Sequence, residues 1–154
     1  MIEIRRIPAP EGDDAAPATP ADAARGRIGA LLTEHAAALG ISFHSRALIF
    51  EAHESTAPEG ESYAGGIDAA LGAAFCFVRL LAVAPAQRGK GVGALLLSAV
   101  EDEARAAGAR GIWLDTFSFQ APAFYRAHGF EEVGTIAEYL PGHSRHFFVK
   151  RFPG

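Results

Sequence analysis

The chain has 154 residues, 49% of them hydrophobic, and a formal net charge of −4 from 14 Lys and Arg against 18 Asp and Glu; this is one domain's length with enough apolar content for a core, and its mild acidity argues against a dedicated nucleic-acid binder while suiting a cationic amine. Its single cysteine, Cys76, can close no internal disulfide and fits a reducing compartment. No stretch approaches the roughly 18 apolar residues of a membrane span, and Met1-Ile2-Glu3-Ile4-Arg5-Arg6 lacks a signal peptide's apolar run, so a cytoplasmic protein is expected.

Residues 2–7 alternate apolar with charged, the period of a half-buried strand. Residues 8–20, rich in Ala, Pro, Gly and Asp, read as a loop. Thr19-Pro20-Ala21-Asp22 reads as a helix start, with Thr19 as cap, Pro20 at the first helical position and Asp22 at the positive end of the dipole. Ile28, Leu31, Leu32, His35 and Leu39 fall on one stripe at helical spacing. Gly26 and Gly29 weaken this helix and admit a break, and Gly40 ends it. Residues 47–52 form a short strand, residues 55–62 a hairpin loop with Pro58 and Gly60, and residues 63–71 a strand weakened by Gly65 and Gly66. Residues 75–83 are almost continuously apolar, which predicts a central strand buried on both faces.

Val92, Leu95, Leu96, Ala99 and Val100 then repeat at helical spacing. Glu101 and Arg105, four apart, can pair for about 0.3 kcal/mol, and Gly108 ends the helix. Residues 111–116 read as a strand and residues 121–128 as a short helix closed by Gly129. Residues 131–136 and 145–150 are two last strands, joined through Pro141-Gly142. This order predicts a mixed α/β sheet with a parallel strand pair flanking the turn at residues 88–93.

That turn, Arg88-Gly89-Lys90-Gly91-Val92-Gly93, carries the chemistry. A glycine-rich turn opening a helix suits phosphate: the glycines allow close backbone approach, the N–H groups point outward, and the macrodipole adds positive potential. Arg88 and Lys90 supply countercharge. A plain surface turn between strand and helix also favours glycines, and the spacing is neither that of a nucleotide-triphosphate loop nor that of a dinucleotide fingerprint.

Val83-Ala84-Pro85-Ala86-Gln87 leads into the turn. Ile112-Trp113-Leu114-Asp115-Thr116 and Phe124-Tyr125-Arg126-Ala127-His128-Gly129-Phe130 follow it. The set resembles the GNAT superfamily of acyl-CoA-dependent N-acyltransferases, over about residues 77–150. Arg88-x-x-Gly91-x-Gly93 is similar to the family's pyrophosphate-binding motif, and Phe124-Tyr125 with Gly129-Phe130 to its second signature.

The resemblance implies a GNAT-like mixed, mostly antiparallel sheet whose fourth and fifth strands splay apart, in a single domain over residues 1–154. It implies transfer of an acetyl group from acetyl-CoA to a primary amine by direct attack. The coenzyme A pyrophosphate would lie over the N–H groups of Arg88, Gly89, Lys90, Gly91, Val92, Gly93 and Ala94, and its pantetheine arm along the backbone of Leu81, Ala82 and Val83. Tyr125 is the implied general acid for the leaving thiolate; a half-buried tyrosine between Phe124 and Phe130 is the plainer alternative. Ser118, where many family members carry Asn, either meets the pantetheine or caps the following helix. Glu51, His53, Glu54, Asp115 and His143 are candidates for the base, with ordered water as another route, and Arg145 and His143 are candidates to shape the acceptor pocket.

The acceptor is expected to be a small-molecule amine, less often a protein amine. A homodimer is a candidate assembly, and neither nucleic acid nor membrane is an expected partner. Histidine spacing marks no metal site, His143-x-x-His146 being the closest pair, and no Gly-x-Ser-x-Gly elbow marks a nucleophilic serine. A module that senses acyl-CoA without turnover is the rival function.

Overall fold

A computed structural model describes residues 1–8, 20–55 and 63–154. In chain order they form β1 (Ile2–Ile7), α1 (Pro20–Ala38), β2 (Arg46–Glu54), β3 (Tyr63–Leu71), β4 (Phe75–Val83), a single 3-10 turn (Pro85–Gln87), α2 (Val92–Ala106), β5 (Gly111–Phe117), α3 (Pro122–Ala127), β6 (Glu131–Leu140) and β7 (His143–Arg151). The strands make one seven-stranded sheet in the order β1-β2-β3-β4-β5-β7-β6. Only β4 and β5 run parallel. The expected mixed, mostly antiparallel sheet is therefore the one found. The capping role expected of Thr19 and most of the 55–62 loop lie outside the described residues.

Cross-strand partners share a face of a sheet, and this gives the sheet two different sides. On the core side, Leu48, Phe50, Ala52, Ile67, Ala69, Cys76, Val78, Ile112, Leu114 and Phe148 pack with Val92, Leu96, Leu97, Val100 and Ala104 of α2. The opposite, open face carries the rows Glu51–Gly66–Ala82 and Ile49–Asp68–Leu80. It also carries Trp113, Asp115 and Phe117 of β5 beside Val149, Phe147 and Arg145 of β7. The buried stripe of α2 is turned slightly from the one expected: Leu95 is 46% exposed and Leu97 is buried in its place.

Two expectations fail for tertiary reasons. The α1 stripe is not a core face: Ile28, Leu31, Leu32 and Leu39 are each more than 60% exposed, His35 is exposed, and Ala36 is the buried residue. The helix is continuous through Gly26 and Gly29 and makes little contact with the sheet. Its C-terminus closes as expected on Gly40, at φ +70, with Gly40 N–H donating to Ala37 O and Ile41 N–H to Ala36 O, both at 2.9 Å.

The second failure is β4, which is not buried along its length. It pairs with β5 only over Phe75–Val78 against Gly111–Leu114. At the next residue the β3 ladder slips, Asp68 pairing with Leu80 and Ala69 with Val78, so Arg79 is the extra residue of a bulge. Bulges bend the strand that carries them and end regular pairing. Beyond it β4 and β5 separate, and Leu80, at 68%, and Ala82 are exposed. The long apolar run is core in its first half and the wall of a cleft in its second.

On the far edge, Glu132 of β6 ties three elements together. Its carboxylate accepts hydrogen bonds from His146 of β7, Thr135 of β6 and Arg126 of α3. These bonds, that of His146 foremost, hold its pKa down at about 2. A depressed folded-state pKa contributes stability that is present above the unfolded value and is lost as pH falls toward the folded one. The urea midpoint of the wild type should therefore drop between pH 4.5 and about 2 more steeply than that of Glu132→Gln. Parallel curves for the two proteins would show that the carboxylate contributes nothing.

Candidate active site

The Gly-rich turn sits where the sequence places it, at the N-terminus of α2. Gly91 is the helix N-cap at φ +82, with no side-chain cap, and Gly89 has φ +73. These left-handed conformations favour glycine. No atom lies within 4 Å of where a Cβ would stand on either residue, so the backbone faces open space. Among the described residues, no backbone acceptor meets the N–H groups of residues 89–94, whereas that of Arg88, also expected to face the pyrophosphate, donates to Pro85 O at 3.4 Å; the first helical bond is Leu95 N–H to Gly91 O at 3.1 Å. A row of unmet donors at the positive end of a fifteen-residue helix is a ready site for a di-anionic group. Gly93 has another role: a Cβ there would stand 3.3 Å from Phe124 Cζ and 3.6 Å from Val83 Cγ2, so this glycine lets α2 approach α3.

The countercharges differ. Arg88 is drawn back on the turn, its Nε donating to Val83 O at 3.2 Å, whereas Lys90 reaches only Gln87 Oε1 at 3.3 Å on the surface.

From this turn a cavity of about 600 Å³ runs between the separated strands. One wall is β4 from Val78 to Val83, and the other is formed by Leu114, Asp115 and Thr116 of β5 with Phe119, Gln120, Ala121, Phe124 and Tyr125. Of the β4 residues expected to offer backbone, Leu81, Ala82 and Val83 all line it. Among the described residues, their edge toward β5 has no strand partner. The carbonyl of Val83 is already used by Arg88.

Tyr125 reaches the cavity from the core side. Its ring packs against Phe124, Phe130 and Phe148, and the residue is 7% exposed. Burial, with the charge of Asp115 as a smaller contribution, pushes its pKa up to about 12. A phenol with that value stays protonated throughout the neutral range, so the group is a proton donor and not a base.

Of the two roles expected of Ser118, the cap of α3 is not the one found. Its Oγ accepts the N–H of Ser144 at 3.2 Å and lies 3.5 Å from His143 Nδ1, on the side of β7 and away from the cavity wall. The N-cap of α3 is Ala121. The β5–α3 loop twists between them, and Gln120 takes the inward place. Gln120 Oε1 accepts from Phe117 N–H at 3.0 Å and Thr116 Oγ1 at 3.1 Å. The backbone donor fixes which end of the amide is oxygen, so Nε2 keeps both N–H groups beside the cavity. Neither motif nor spacing pointed to Gln120; only the loop's path does.

The five base candidates separate. His53 Nε2 and Glu51 Oε2 lie 3.0 Å apart on the open face of β2. Glu54 accepts from Gln87 Nε2 at 2.9 Å, and His143 edges against Phe119. Asp115 alone among these five lines the cavity. His146 is committed to Glu132, and no group of His, Cys, Asp and Glu among the described residues is placed to hold a metal ion.

Residues 44–132 match the acetyltransferase (GNAT) domain family. The chain is 33% identical over 94 residues to an acetyltransferase of Agrobacterium fabrum, covering 61% of this chain and 69% of that one. It is 36% identical over 88 residues to the blasticidin-S acetyltransferase of Streptomyces morookaense, covering 56% and 65%. In three dimensions it is similar to an acetyltransferase of Bacillus cereus, with TM-score 0.67, 27% identity and coverage of 91% and 98%.

Proposed function

The chain belongs to the GNAT superfamily and is an acetyl-CoA-dependent N-acetyltransferase, and from that premise we propose that the cleft between β4 and β5 seats acetyl-CoA and that the acceptor is a small-molecule primary amine. The observation that carries the proposal is that the cavity walled by Tyr125 is lined also by Arg88 and Gly93 of the turn, in which the N–H groups of residues 89–94 are unmet. The blasticidin-S acetyltransferase among its relatives supports a small-molecule acceptor; a protein amine is the rarer choice.

Acetyl-CoA supplies an acyl group activated as a thioester. The N–H groups of residues 89–94 and the α2 dipole hold its pyrophosphate. The free edge of β4 at Leu81 and Ala82 hydrogen-bonds the pantetheine arm, and Gln120 Nε2 offers two further donors in the place expected of Ser118. Tyr125 gives its proton to the departing thiolate. Against a thiol near pKa 8.5 in water, a phenol at about 12 would donate uphill. Burial acts on thiols in the same direction: in this protein it pushes Cys76 up to about 11. In an equally dry site the gap closes to about one unit, roughly 1.4 kcal/mol, which the step can absorb.

A single domain over residues 1–154 and a cytoplasmic location belong to the same proposal, the latter resting on the free thiol of Cys76. So does a homodimer, for which exposed Ile28, Leu31 and Leu32 on α1 supply apolar surface and which sedimentation reads directly. No helix among the described residues is long and apolar enough to cross a membrane.

Acetyl-CoA should raise Tm more than ATP does, and a panel of amines with a thiol reagent should then show turnover. Cys76 is fully buried and should stay silent, so the thiol signal is that of released coenzyme A. An equal shift with ATP overturns the cleft assignment. A shift without turnover on any amine favours a sensing module.

A further inference from the structure

The reaction needs a group to receive the amine's proton, and the cavity wall narrows the choice. Among the described residues that line it, Asp115 is the only acid; Arg79 and Arg88 are the other charged groups. Asp115 lies on the open face of β5, while Leu114 and Thr116 point to the core. Tyr125 enters from the core side, so the two groups meet the cleft from opposite faces of the sheet. They are close enough for the charge of Asp115 to act on Tyr125.

The place of Asp115 is set by the β6–β7 hairpin. Arg145 Nε donates to Asp115 Oδ1 at 2.7 Å, and Arg145 Nη1 donates to Tyr139 Oη at 2.8 Å. The guanidinium carbon also lies 4.9 Å from the Tyr139 ring centre. Tyr139 is presented by Glu138, a non-glycine residue at φ +50, and the Glu138 carboxylate accepts Gly142 N–H at 3.1 Å. A left-handed glutamate is a costly conformation that a structure keeps only where its surroundings enforce it. Here it turns Tyr139 back onto Arg145.

We propose that Asp115, through Oδ2, accepts the acceptor amine's proton as the amine attacks, and that Arg145 and Tyr139 act as positioning residues that hold and charge-compensate it. The compensation matters. A lone carboxylate would favour the amine as ammonium, which has no lone pair to donate. With Arg145 on Oδ1 the pair is close to neutral, so the amine can arrive uncharged and hydrogen-bonded to Oδ2. As the N–C bond forms, the nitrogen becomes cationic and its proton acidic, and Oδ2 takes it. The C–S bond breaks with its electron pair going to sulfur, which takes the proton of Tyr125. Asp115 then releases its proton to water and Tyr125 regains one. The sum is amine plus acetyl-CoA giving amide plus coenzyme A.

This rests on the amine-acetylating reaction above, and wild-type turnover on the amine panel tests that separately. Around Asp115 stand Arg145 of β7, bonded to it, and Tyr125 of α3, on which its charge acts; Tyr139 of β6 is bonded to Arg145, and Arg79 of β4 lines the same cavity while pairing with Asp68. Asp115→Asn should lower kcat by about 10²-fold with the acetyl-CoA Tm shift unchanged. Without ligand, it should also lower the highest tyrosine pKa in an ultraviolet titration, an effect absent in a Tyr125→Phe background. Arg145→Met should displace the pH profile of kcat/KM for the amine toward alkaline pH, with activity recovering there, and Arg145→Lys should lie between. Because Asp115→Asn leaves Arg145 unpaired, the double variant Asp115→Asn/Arg145→Met provides a charge-balanced check and should keep the kcat loss. Wild-type kcat in the double variant, or an Arg145→Met profile lowered without displacement, overturns the proposal. So does a loss of about 10²-fold in His53→Ala with Asp115→Asn near wild type; that result moves the role to the Glu51–His53 pair.

Discussion

Tyr125→Phe is expected to lower kcat by about 10²- to 10⁴-fold, the usual range for a lost general acid, while leaving acetyl-CoA affinity near wild type. The substitution removes one oxygen and keeps the ring that packs on Phe124, Phe130 and Phe148, so the core of α3 stays filled. The hydroxyl is proposed to act on charge that develops only as sulfur departs, so kcat and kcat/KM should fall together. With a pKa near 12, Tyr125 is protonated at every pH from 6 to 9, and the loss should be uniform across that window. Steady-state rates with a thiol reagent at saturating acetyl-CoA, at three pH values, measure it. Turnover equal to wild type throughout would remove Tyr125 from the mechanism and leave water as the proton source.

Gly91→Asp is expected to abolish the acetyl-CoA Tm shift, with affinity reduced by about 10²-fold or more, because a like charge in the ligand's place costs several kcal/mol. The residue is the N-cap of α2, at φ +82, with open space around it. Steric clash is therefore not the cause of the loss, and aspartate is a favoured N-cap that accepts N–H groups near its own helix start. The variant should fold, and its ligand-free Tm should stay close to wild type, since any αL strain of about 1–2 kcal/mol is set against the new cap. It fails toward acetyl-CoA because its carboxylate occupies the donors and the positive end of the dipole. Gly91→Asn keeps the cap and tolerates the same φ without the charge, so it should retain part of the affinity. If Gly91→Asp binds acetyl-CoA as wild type does, the pyrophosphate lies elsewhere.

These two sites differ in how they could be read. The turn was legible because its requirements are local. A left-handed N-cap favours Gly91, and the unmet donors follow from any helix start, so residues 88–94 mark the turn and the proposed phosphate site within one short stretch. Tyr125 was singled out by resemblance: Phe124-Tyr125 with Gly129-Phe130 marks the helix, but its burial is completed by Phe148, twenty-three positions on and two strands away. The surroundings of Ser118 were not legible because the spacing to Tyr125 says nothing of the loop's path, which turns Ser118 toward Ser144 and puts Gln120 on the cavity wall.

The same division runs through the fold. Period and punctuation by themselves determined the strands, the three helices, the stops at Gly40, Gly108 and Gly129, and the mixed order of elements, because these depend on φ/ψ preferences and on side chains a few residues apart. Which faces are covered was decided only in three dimensions. The α1 stripe has helical spacing and stays exposed because little of the sheet lies against it. Residues 75–83 are apolar apart from Arg79, yet the first part pairs with β5 and the second is cleft wall, because the bulge at Arg79 parts β4 from β5. Arg145 and Asp115 are thirty residues apart and meet only because β7 lies antiparallel beside β5. Each depends on how elements distant in sequence are placed, and no local spacing encodes it.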